Sequence, residues 1–243
     1  MSPREDSNTA WGIVKKAEIR VKSWPRTSAA ASLSVLVLAL AACMPGSTIW
    51  TPSYEELNTH APDSFVVAME TSEGPIEITM YREWSPLAVD RAHYLMANDF
   101  YAGARFYRVV PGFVAQWGLT GKPVLDSLWQ ERGIDDEPVV DSNARGTVAF
   151  ARAGRRTRSF QLFINLADNS RLDDYASGGV LGFPPIGRVN TGMDVVDGLY
   201  GAYGQPGDMQ DSISAIGSTY LTRTYPQLDS ILSTRVVRSW PPR

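Results

Sequence analysis

The 243-residue chain contains a single cysteine, Cys43, so no disulfide bond can form within it. Histidine is also scarce: only His60 and His93 are present, and no set of Cys and His residues has the spacing of metal ligands. This argues against a zinc site. Basic residues do not outnumber acidic ones, and the formal net charge is −3. Because a general nucleic-acid-binding protein is usually basic, the composition does not suggest a nucleic-acid partner.

The sequence also lacks a hydrophobic run long enough for a comfortable membrane span of about 20 residues. The apolar stretch from Ala29 to Ala42 is shorter than that. A basic run precedes it, made of Lys15, Lys16, Arg20, Lys22 and Arg26. A positively charged region followed by a short apolar region is typical of secretory signal peptides. We therefore predict that residues 1–42 form a signal peptide.

The end of this stretch, Leu40-Ala41-Ala42 before Cys43, resembles the lipobox of bacterial lipoproteins. The resemblance implies cleavage before Cys43 and lipid attachment to its thiol and its new amine, which together give a stable membrane anchor. Two alternatives stay open, namely an ordinary signal peptide with an incidental cysteine and an uncleaved anchor. Residues 43–62 show no clear periodicity, so a flexible tether is expected after the lipidated cysteine.

The lipobox resemblance also implies a location. A lipoprotein of this kind belongs to the bacterial cell envelope and faces the periplasm. Residue 44 is Met, whereas many lipoproteins held at the inner membrane carry an acidic residue after the lipidated cysteine. By resemblance to enteric sorting rules, the outer membrane is favoured over the inner membrane.

Residues 63–243 are expected to form one mainly β domain. Runs at 64–71 and 75–81 flank the hairpin signal Ser72-Glu73-Gly74, and the second run alternates apolar and polar residues. Ser85 as N-cap and Pro86 at the first helical position predict a helix up to about Asn98. Further strands are predicted at 104–110, 113–118, 147–152, 160–166 and 185–189, followed by a short helix at 193–199.

A C-terminal extension begins at about residue 204. Its apolar residues recur at helical spacing, four, three and four apart, at Met209, Ile213, Ile216 and Tyr220. They predict one extra helix, which Pro226 would end, before a last strand at about 230–237. Eight short strands with two or three helices are typical of a closed eight-stranded antiparallel barrel with helices over its openings.

An arginine stands inside one of the predicted strands. The stretch FYRVVPGFVAQWG (106–118) reads as two apolar strands joined by a Pro-Gly turn, with Arg108 in the first and Gln116 in the second. A charge buried without partners is expensive, so an arginine at this position needs a reason. Taken alone, a strand arginine usually forms a structural ion pair or points outward, and the alternative is a functional role.

The same stretch resembles the cyclophilin signature, in which F-x-R-x-x-P-G-F is followed two residues on by a glutamine. Three further stretches resemble the family in the same order. They are GTVAFARAG (146–154), SFQLFINL (159–166) and RLDDYASGGVLGFPPIGRVNTGMDVVDGL (171–199). The chain is therefore identified as a member of the cyclophilins, which are peptidyl-prolyl cis/trans isomerases built on an eight-stranded barrel capped by two helices.

The resemblance implies a role for each matched residue. Arg108 would donate to the twisted amide, Gln116 would hold the Arg108 side chain, and Phe113 would complete the catalytic set. The residues implied to line the proline pocket and the peptide groove are Val114, Ala151, Arg152, Gln161, Phe163, Leu172 and Phe183. The resemblance implies proline-containing polypeptides as partners and no metal or other cofactor, and a monomer is expected.

Several positions depart from the family pattern. They are Val114 in place of the common Met, Trp117 in place of Gly, Arg152 in place of Asn, Arg171 in place of an aromatic residue, and Phe183 where His is frequent. Residues 118–140 also differ from the usual glycine-rich loop.

Two functions consequently stay open. One is a lipid-anchored isomerase that speeds Xaa-Pro steps in the folding of envelope proteins, which the intact Arg108, Phe113 and Gln116 favour. The other is a barrel that binds proline-containing segments or an envelope partner with little turnover, which the altered residues favour.

Overall fold

The computed structural model describes residues 49–205 and 207–241. The strands are β1 (Ser64–Thr71), β2 (Pro75–Tyr81), β3 (Arg108–Val110), β4 (Val114–Trp117), β5 (Thr147–Phe150), β6 (Leu162–Asn165), β7 (Ala176–Ser177), β8 (Val180–Leu181), β9 (Pro185–Thr191) and β10 (Ile231–Trp240). The helices are α1 (Tyr54–Leu57), α2 (Pro86–Ala97), α3 (Pro123–Gln130), α4 (Met193–Gly198), α5 (Met209–Ile216) and α6 (Ser218–Thr224). Within these residues, no helix is both long and apolar enough to span a membrane.

Eight of these strands form one antiparallel sheet in the order β10-β1-β2-β9-β5-β6-β4-β3, and β7 pairs with β8 in a separate hairpin. The mainly β prediction and the strand number are confirmed. The predicted closure of the barrel is not observed as a strand ladder, because β3 and β10 end the order. The segment just before β3 nevertheless contacts the start of β10. Arg105 forms an isolated β-bridge with Ser230, and Gly103 N donates a hydrogen bond to Ile231 O at 2.8 Å.

The predicted hairpin of β1 and β2 has the expected bounds and the expected alternation. Ile76, Ile78 and Met80 are buried on β2, whereas Glu77 and Thr79 are partly exposed. Successive side chains of a strand point to opposite faces, so one face of the hairpin packs into the main core. The period of two therefore indicated β2 correctly, whereas β1 was predicted from its run beside the hairpin signal.

Helix α2 begins at Pro86 as predicted, but its N-terminus is satisfied differently. The Ser85 side chain accepts no hydrogen bond from the helix backbone. The Glu137 carboxylate accepts from Leu87 N at 2.7 Å and from Ala88 N at 3.2 Å instead, and the Ser85 hydroxyl donates to it. A carboxylate at this end also interacts favourably with the helix dipole.

The flexible tether predicted for residues 43–62 is not observed over residues 49–62, which are folded. Ile49 and Ala61 are buried in the main core, and the indole Nε1 of Trp129 donates to Ile49 O at 2.9 Å. Between them, Ser53 caps the N-terminus of α1 with a capping box. Its hydroxyl accepts from Glu56 N, and the Glu56 carboxylate accepts from Ser53 N. The folded part of the chain therefore starts by residue 49. Cys43 and residues 1–42 lie outside the described residues.

The extension holds two helices where the sequence predicted one. Gly217 separates α5 from α6 with a φ of 80°, a left-handed conformation that suits glycine. A Cβ atom there would lie 2.5 Å from Gly121 O, which already accepts from Ser218 N at 2.9 Å. Of the predicted apolar stripe, Met209 and Ile213 are buried, whereas Ile216 is 57% exposed. The close approach to the start of α3 explains the break.

Candidate active site

A groove of about 330 Å³ opens on one face of the sheet. It is lined by Arg108, Phe113, Val114, Gln116, Gln130, Ala151, Arg152, Ala153, Thr157, Ser159, Gln161, Phe163, Leu172, Phe183 and Gln210. Every candidate catalytic and substrate-binding residue predicted from the sequence is in this set. A volume of this size is at the lower end of the range for small-ligand sites.

Strand register puts four chemically different residues in one row. Across β3, β4, β6 and β5, Arg108 is opposite Gln116, Gln116 is opposite Phe163, and Phe163 is opposite Ala149. Directly opposed residues of antiparallel strands share a face of the sheet. The row therefore gives the groove a cation, an amide and an aromatic ring, and its small residue, Ala149, is buried in the adjoining apolar cluster.

The Pro-Gly turn sets the first pair in this row. Gly112 has a φ of 73°, and Phe113 N donates to Val110 O at 2.9 Å, which closes a tight turn between β3 and β4. A one-residue slip of this turn would move Arg108 to the other face. The Phe113 carbonyl is fixed in turn by Leu166 N at 2.8 Å and by Asn169 Nδ2 at 2.8 Å.

The apolar wall of the groove is a small cluster separate from the main core. Its buried members are Val114, Ala149, Phe163 and Leu172, and the partly buried Phe113, Ala151 and Phe183 pack against it. The rings of Phe163 and Phe183 meet edge to face with centroids 5.9 Å apart. The sequence did not single out Ala149. Because it lies two residues before Ala151 on an extended segment, the period of two was the signal that could have found it.

A chain of hydrogen bonds runs beneath the apolar wall. Arg108 Nη1 donates to Gln116 Oε1 at 3.0 Å, and Gln116 Nε2 donates to the Tyr107 hydroxyl at 2.5 Å and to Gln161 Oε1 at 3.2 Å. The Tyr107 hydroxyl donates to Gln161 Oε1 at 2.5 Å. Tyr107, which the sequence did not single out, therefore joins the two glutamines.

Burial affects both titratable groups of this chain. It lowers the pKa of the Arg108 guanidinium and raises the pKa of the Tyr107 hydroxyl, while the charge of Arg108 opposes that rise. Arginine keeps its charge at any physiological pH despite such a shift. The groove thus holds a permanent cation next to a neutral phenol.

Phe113 lies next to two guanidinium groups. The Cζ atom of Arg108 is 5.4 Å from the centroid of the Phe113 ring, and that of Arg171 is 5.0 Å from it. Both distances are within the range of cation–π contacts. Arg171, which departs from the family pattern, therefore still packs on the groove aromatic.

Trp117 departs from the pattern without entering the groove. Its position on β4 alternates with that of Gln116, and its side chain is fully buried in the main core, with the Phe106 ring 5.6 Å away. The substitution of a glycine by Trp117 is thus accommodated on the face of the strand opposite the groove.

Arg152 lines the groove but is engaged elsewhere. Its guanidinium donates to Ser177 O at 2.8 Å, to Val180 O at 3.0 Å and to Gly182 O at 2.7 Å, and its Cζ atom is 4.4 Å from the centroid of the Phe183 ring. It holds the β7–β8 hairpin against the groove. Its role in binding the substrate backbone, which the resemblance implied, stays a prediction.

The neighbouring basic residues are mostly paired within the fold. Arg156 forms an ion pair with Asp135 at 2.5 Å, and Arg158, only 1% exposed, forms one with Glu137 at 3.1 Å. The run of arginines at 152–158 therefore does not present a continuous free basic surface to the groove.

Residues outside the matched motifs complete the groove on its polar side. Gln130 ends α3, Gln210 lies on α5, and Gln205 precedes α5 and accepts a hydrogen bond from Arg108 Nε at 2.9 Å. No sequence pattern pointed to them, because only tertiary packing brings the 118–140 loop and the C-terminal extension to the same groove.

Residues 66–214 match the family described as cyclophilin type peptidyl-prolyl cis-trans isomerase/CLD, and this match spans more than half of the chain. The chain belongs to the cyclophilin family. As a cyclophilin, it is a peptidyl-prolyl cis-trans isomerase. The predicted family membership and enzyme class are confirmed.

Two bacterial relatives of this cyclophilin are themselves peptidyl-prolyl cis-trans isomerases. The protein of Acinetobacter baylyi is 34% identical over 151 residues, covering 58% of this chain and 74% of its own. Peptidyl-prolyl cis-trans isomerase A of Dickeya dadantii is 30% identical over 166 residues, covering 68% of this chain and 84% of its own.

Solved cyclophilins share its fold. A cyclophilin type isomerase of Cryptosporidium parvum, solved in the presence of the dipeptide Ala-Pro, matches with a TM-score of 0.52 and 18% identity over 72% of this chain and 99% of its own. A cyclophilin from Hirschia baltica matches with a TM-score of 0.52 and 17% identity over 74% of this chain and 76% of its own.

Proposed function

We propose that this cyclophilin speeds rotation about Xaa-Pro bonds in proteins of the bacterial cell envelope, and that Arg108 stabilises the twisted amide. The observation that carries the proposal is the position of Arg108. Its guanidinium is hydrogen-bonded to Gln116 at 3.0 Å, and it lies at the edge of an apolar cluster that includes Phe113 and Phe163.

The reaction needs no bond cleavage. Amide resonance sets a rotation barrier of about 18–20 kcal/mol, and the twisted amide loses that resonance, so its nitrogen gains a lone pair. A donor aimed at this nitrogen interacts more strongly with the twisted state than with either planar isomer. Only such a difference lowers the barrier. A guanidinium fixed by Gln116 meets this need without reorganising during the reaction.

The apolar cluster supplies the other half of the site. Val114, Phe163 and Leu172 are buried, and they leave a concave apolar surface beside the cation. A proline ring carries three methylene groups, and burying them contributes about 2 kcal/mol to binding. The ring is thereby held while the preceding residue and its carbonyl rotate.

The test compares the full chain in detergent with Arg108→Ala and Arg108→Lys, following cis–trans exchange of a short Ala-Pro-Phe peptide by NMR. We expect Arg108→Ala to lower kcat/KM by about 100-fold, as for the loss of a donor that stabilises a transition state. Arg108→Lys should retain part of the rate, because it keeps the charge but not the planar fork. An Arg108→Ala variant that folds and keeps the wild-type rate would refute the assigned role.

The envelope location rests on the proposed lipidation of Cys43. Because Ile49 is buried, only residues 44–48 separate the lipidated cysteine from the folded part. Such a connection spans roughly 20 Å when fully extended. An anchored domain would therefore work within a short distance of the membrane surface, on segments that are emerging from or lying near it.

Fractionation of a bacterial host that expresses the full chain tests this location. We expect the wild type in the membrane fraction with a mass increase of a diacylglyceryl group on a peptide that begins at Cys43. Cys43→Ser should lose that modification. An unmodified, soluble wild type would rule out the proposed lipid anchor, but it would not contradict the proposed isomerase activity.

A further inference from the structure

Gln205 contacts Arg108 from outside the row of strand residues. Its side-chain oxygen accepts a hydrogen bond from Arg108 Nε at 2.9 Å. Gln116, the other partner of Arg108, belongs to the adjacent strand β4. Gln205 instead belongs to the segment between α4 and α5, where the C-terminal extension begins. Two glutamines of different structural origin therefore hold the same guanidinium.

The two contacts use different nitrogens of a planar group. A guanidinium has five N–H donors in a fixed arrangement, divided among Nε, Nη1 and Nη2. Nε donates to Gln205 and Nη1 donates to Gln116, whereas Nη2 donates to none of the described residues. Contacts on two nitrogens fix the orientation of the plane, and they leave Nη2 available to a ligand in the groove.

The backbone that carries Gln205 is itself anchored. Gly204 N donates to Gly201 O at 3.0 Å, and Tyr200 N donates to Asp229 Oδ2 at 2.8 Å. The Tyr203 ring lies 4.9 Å from the rings of both Tyr200 and Tyr225, measured between centroids. Gln205 therefore extends toward Arg108 from a turn that several contacts hold in place.

We propose that Gln205 is a positioning residue for the isomerase reaction. Together with Gln116 it orients the Arg108 guanidinium, so that Nη2 faces the amide that twists in the groove. This inference rests on the role proposed for Arg108. It assigns to the extension an indirect part in catalysis, through a residue that acts on Arg108 and does not itself touch the reacting amide.

The test removes the acceptor while keeping the length of the side chain. We expect Gln205→Met to lower kcat by about three- to tenfold, as for one hydrogen bond, with KM nearly unchanged. In an Arg108→Ala background the same change should have no further effect, because a residue that acts through Arg108 loses its influence when Arg108 is absent. Gln227→Met is the matched control: Gln227 accepts from the Tyr203 hydroxyl of the same turn at 3.4 Å and does not contact Arg108.

A second readout does not depend on turnover. The Nε–H resonance of Arg108, observed by nitrogen–proton NMR on the full chain in detergent, should exchange slowly with water in the wild type and faster in Gln205→Met. Gln205→Glu keeps an acceptor and should restore slow exchange. Unchanged exchange in Gln205→Met would overturn the inference even if Arg108 is the catalyst.

The kinetic outcomes separate this inference from the proposed function. A higher kcat in Gln205→Met would mean that Gln205 competes with substrate for Arg108, which contradicts a positioning role. An equal loss in the Arg108→Ala background would place the effect of Gln205 on the substrate itself, and it would also overturn the inference. An active Arg108→Ala variant would instead refute the proposed function.

Discussion

The two sides of the groove have different structural origins. On the apolar side, Phe163 and Ala149 are fixed by strand register in the same row as Arg108 and Gln116. On the polar side, Gln130 and Gln205 come from a helix and a turn whose positions depend on tertiary packing. Both sides line the groove that contains Arg108. The site therefore combines residues placed by the sheet with residues placed by the 118–140 loop and the C-terminal extension.

The two sides should therefore differ in how well they tolerate substitution. A residue in the row cannot move without shifting its neighbours on adjacent strands, because the ladder couples their positions. The polar side touches the row mainly through side-chain contacts, such as that of Gln205 with Arg108. We therefore expect changes on the sheet side to cost more activity than changes on the inserted side, and the following predictions test that ranking.

After the loss of Arg108 itself, the largest effect is expected at Phe163, which is only 5% exposed and contacts Phe183. Phe163→Ala should lower kcat/KM by roughly 30-fold, mainly through KM, because about 2 kcal/mol of apolar contact with the proline ring is lost. The free energy of unfolding should also fall by about 3 kcal/mol. Peptide exchange by NMR and urea denaturation measure the two effects.

Matched variants decide whether the ranking is correct. Phe163→Leu should keep most of the stability and part of the activity, since it retains apolar volume. Gln130→Ala, at an exposed position on the polar side, should lower kcat/KM by no more than about threefold. A loss at Gln130 equal to that at Phe163 would show that both sides contribute alike.

An intermediate effect is expected at Arg152. Without its hydrogen bonds to Ser177, Val180 and Gly182, the β7–β8 hairpin should open more often and Phe183 should lose its cation contact. Arg152→Ala should lower kcat/KM by about fivefold, and the stability should fall by about 1–2 kcal/mol. Hydrogen exchange of amides 175–182 should become faster.

Two controls sharpen this prediction. Arg152→Lys should not restore protection of the hairpin, because one ammonium group lacks the fork that reaches several carbonyls at once. Arg155→Ala, an exposed change in the same loop, should leave the exchange unchanged. Unaltered protection in Arg152→Ala would contradict its role in holding the hairpin.

Local patterns were enough to predict much of the fold. The hairpin signal at 72–74 and the two runs around it predicted β1 and β2 with their observed bounds, and Pro86 marked the start of α2. The extension was harder, because the break at Gly217 depends on its approach to Gly121, which is distant in sequence. The partner of the α2 N-terminus was hidden for the same reason, since Glu137 lies about 50 residues further along the chain.

The candidate site could be predicted only where a motif or an alternation carried it. Arg108 and Gln116 stand in one hairpin, so local register was sufficient to place them together. Tyr107 and Gln205 were missed, because a strand pattern does not show that a buried phenol reaches Gln161 or that a distant turn reaches Arg108. Arg152 lines the groove as predicted, but the sequence gives no sign of the carbonyls that it also binds.

The smallest effect is expected when the pH is changed. It should distinguish the activity of the groove, which does not depend on pH, from the stability of the fold, which does. Arg108 stays charged and burial keeps Tyr107 neutral, so kcat/KM should be flat between about pH 6 and 9. Stability should not be flat, because burial lowers the pKa of His93 on α2, against the Phe65 ring, while the charge of Asp90 opposes the shift.

The sign of that dependence follows from proton uptake. Below the ordinary histidine pKa of about 6.5, the unfolded chain binds a proton that the folded chain does not, so His93 contributes stability above that pH and loses it as the pH falls through the lowered pKa. His93→Gln should reduce this acid sensitivity, as measured by urea denaturation at several pH values, and leave the activity profile unchanged. A bell-shaped or sloping kcat/KM in the wild type between pH 6 and 9 would instead require a titrating group in the groove, and a purely electrostatic role for a permanently charged Arg108 would then fail.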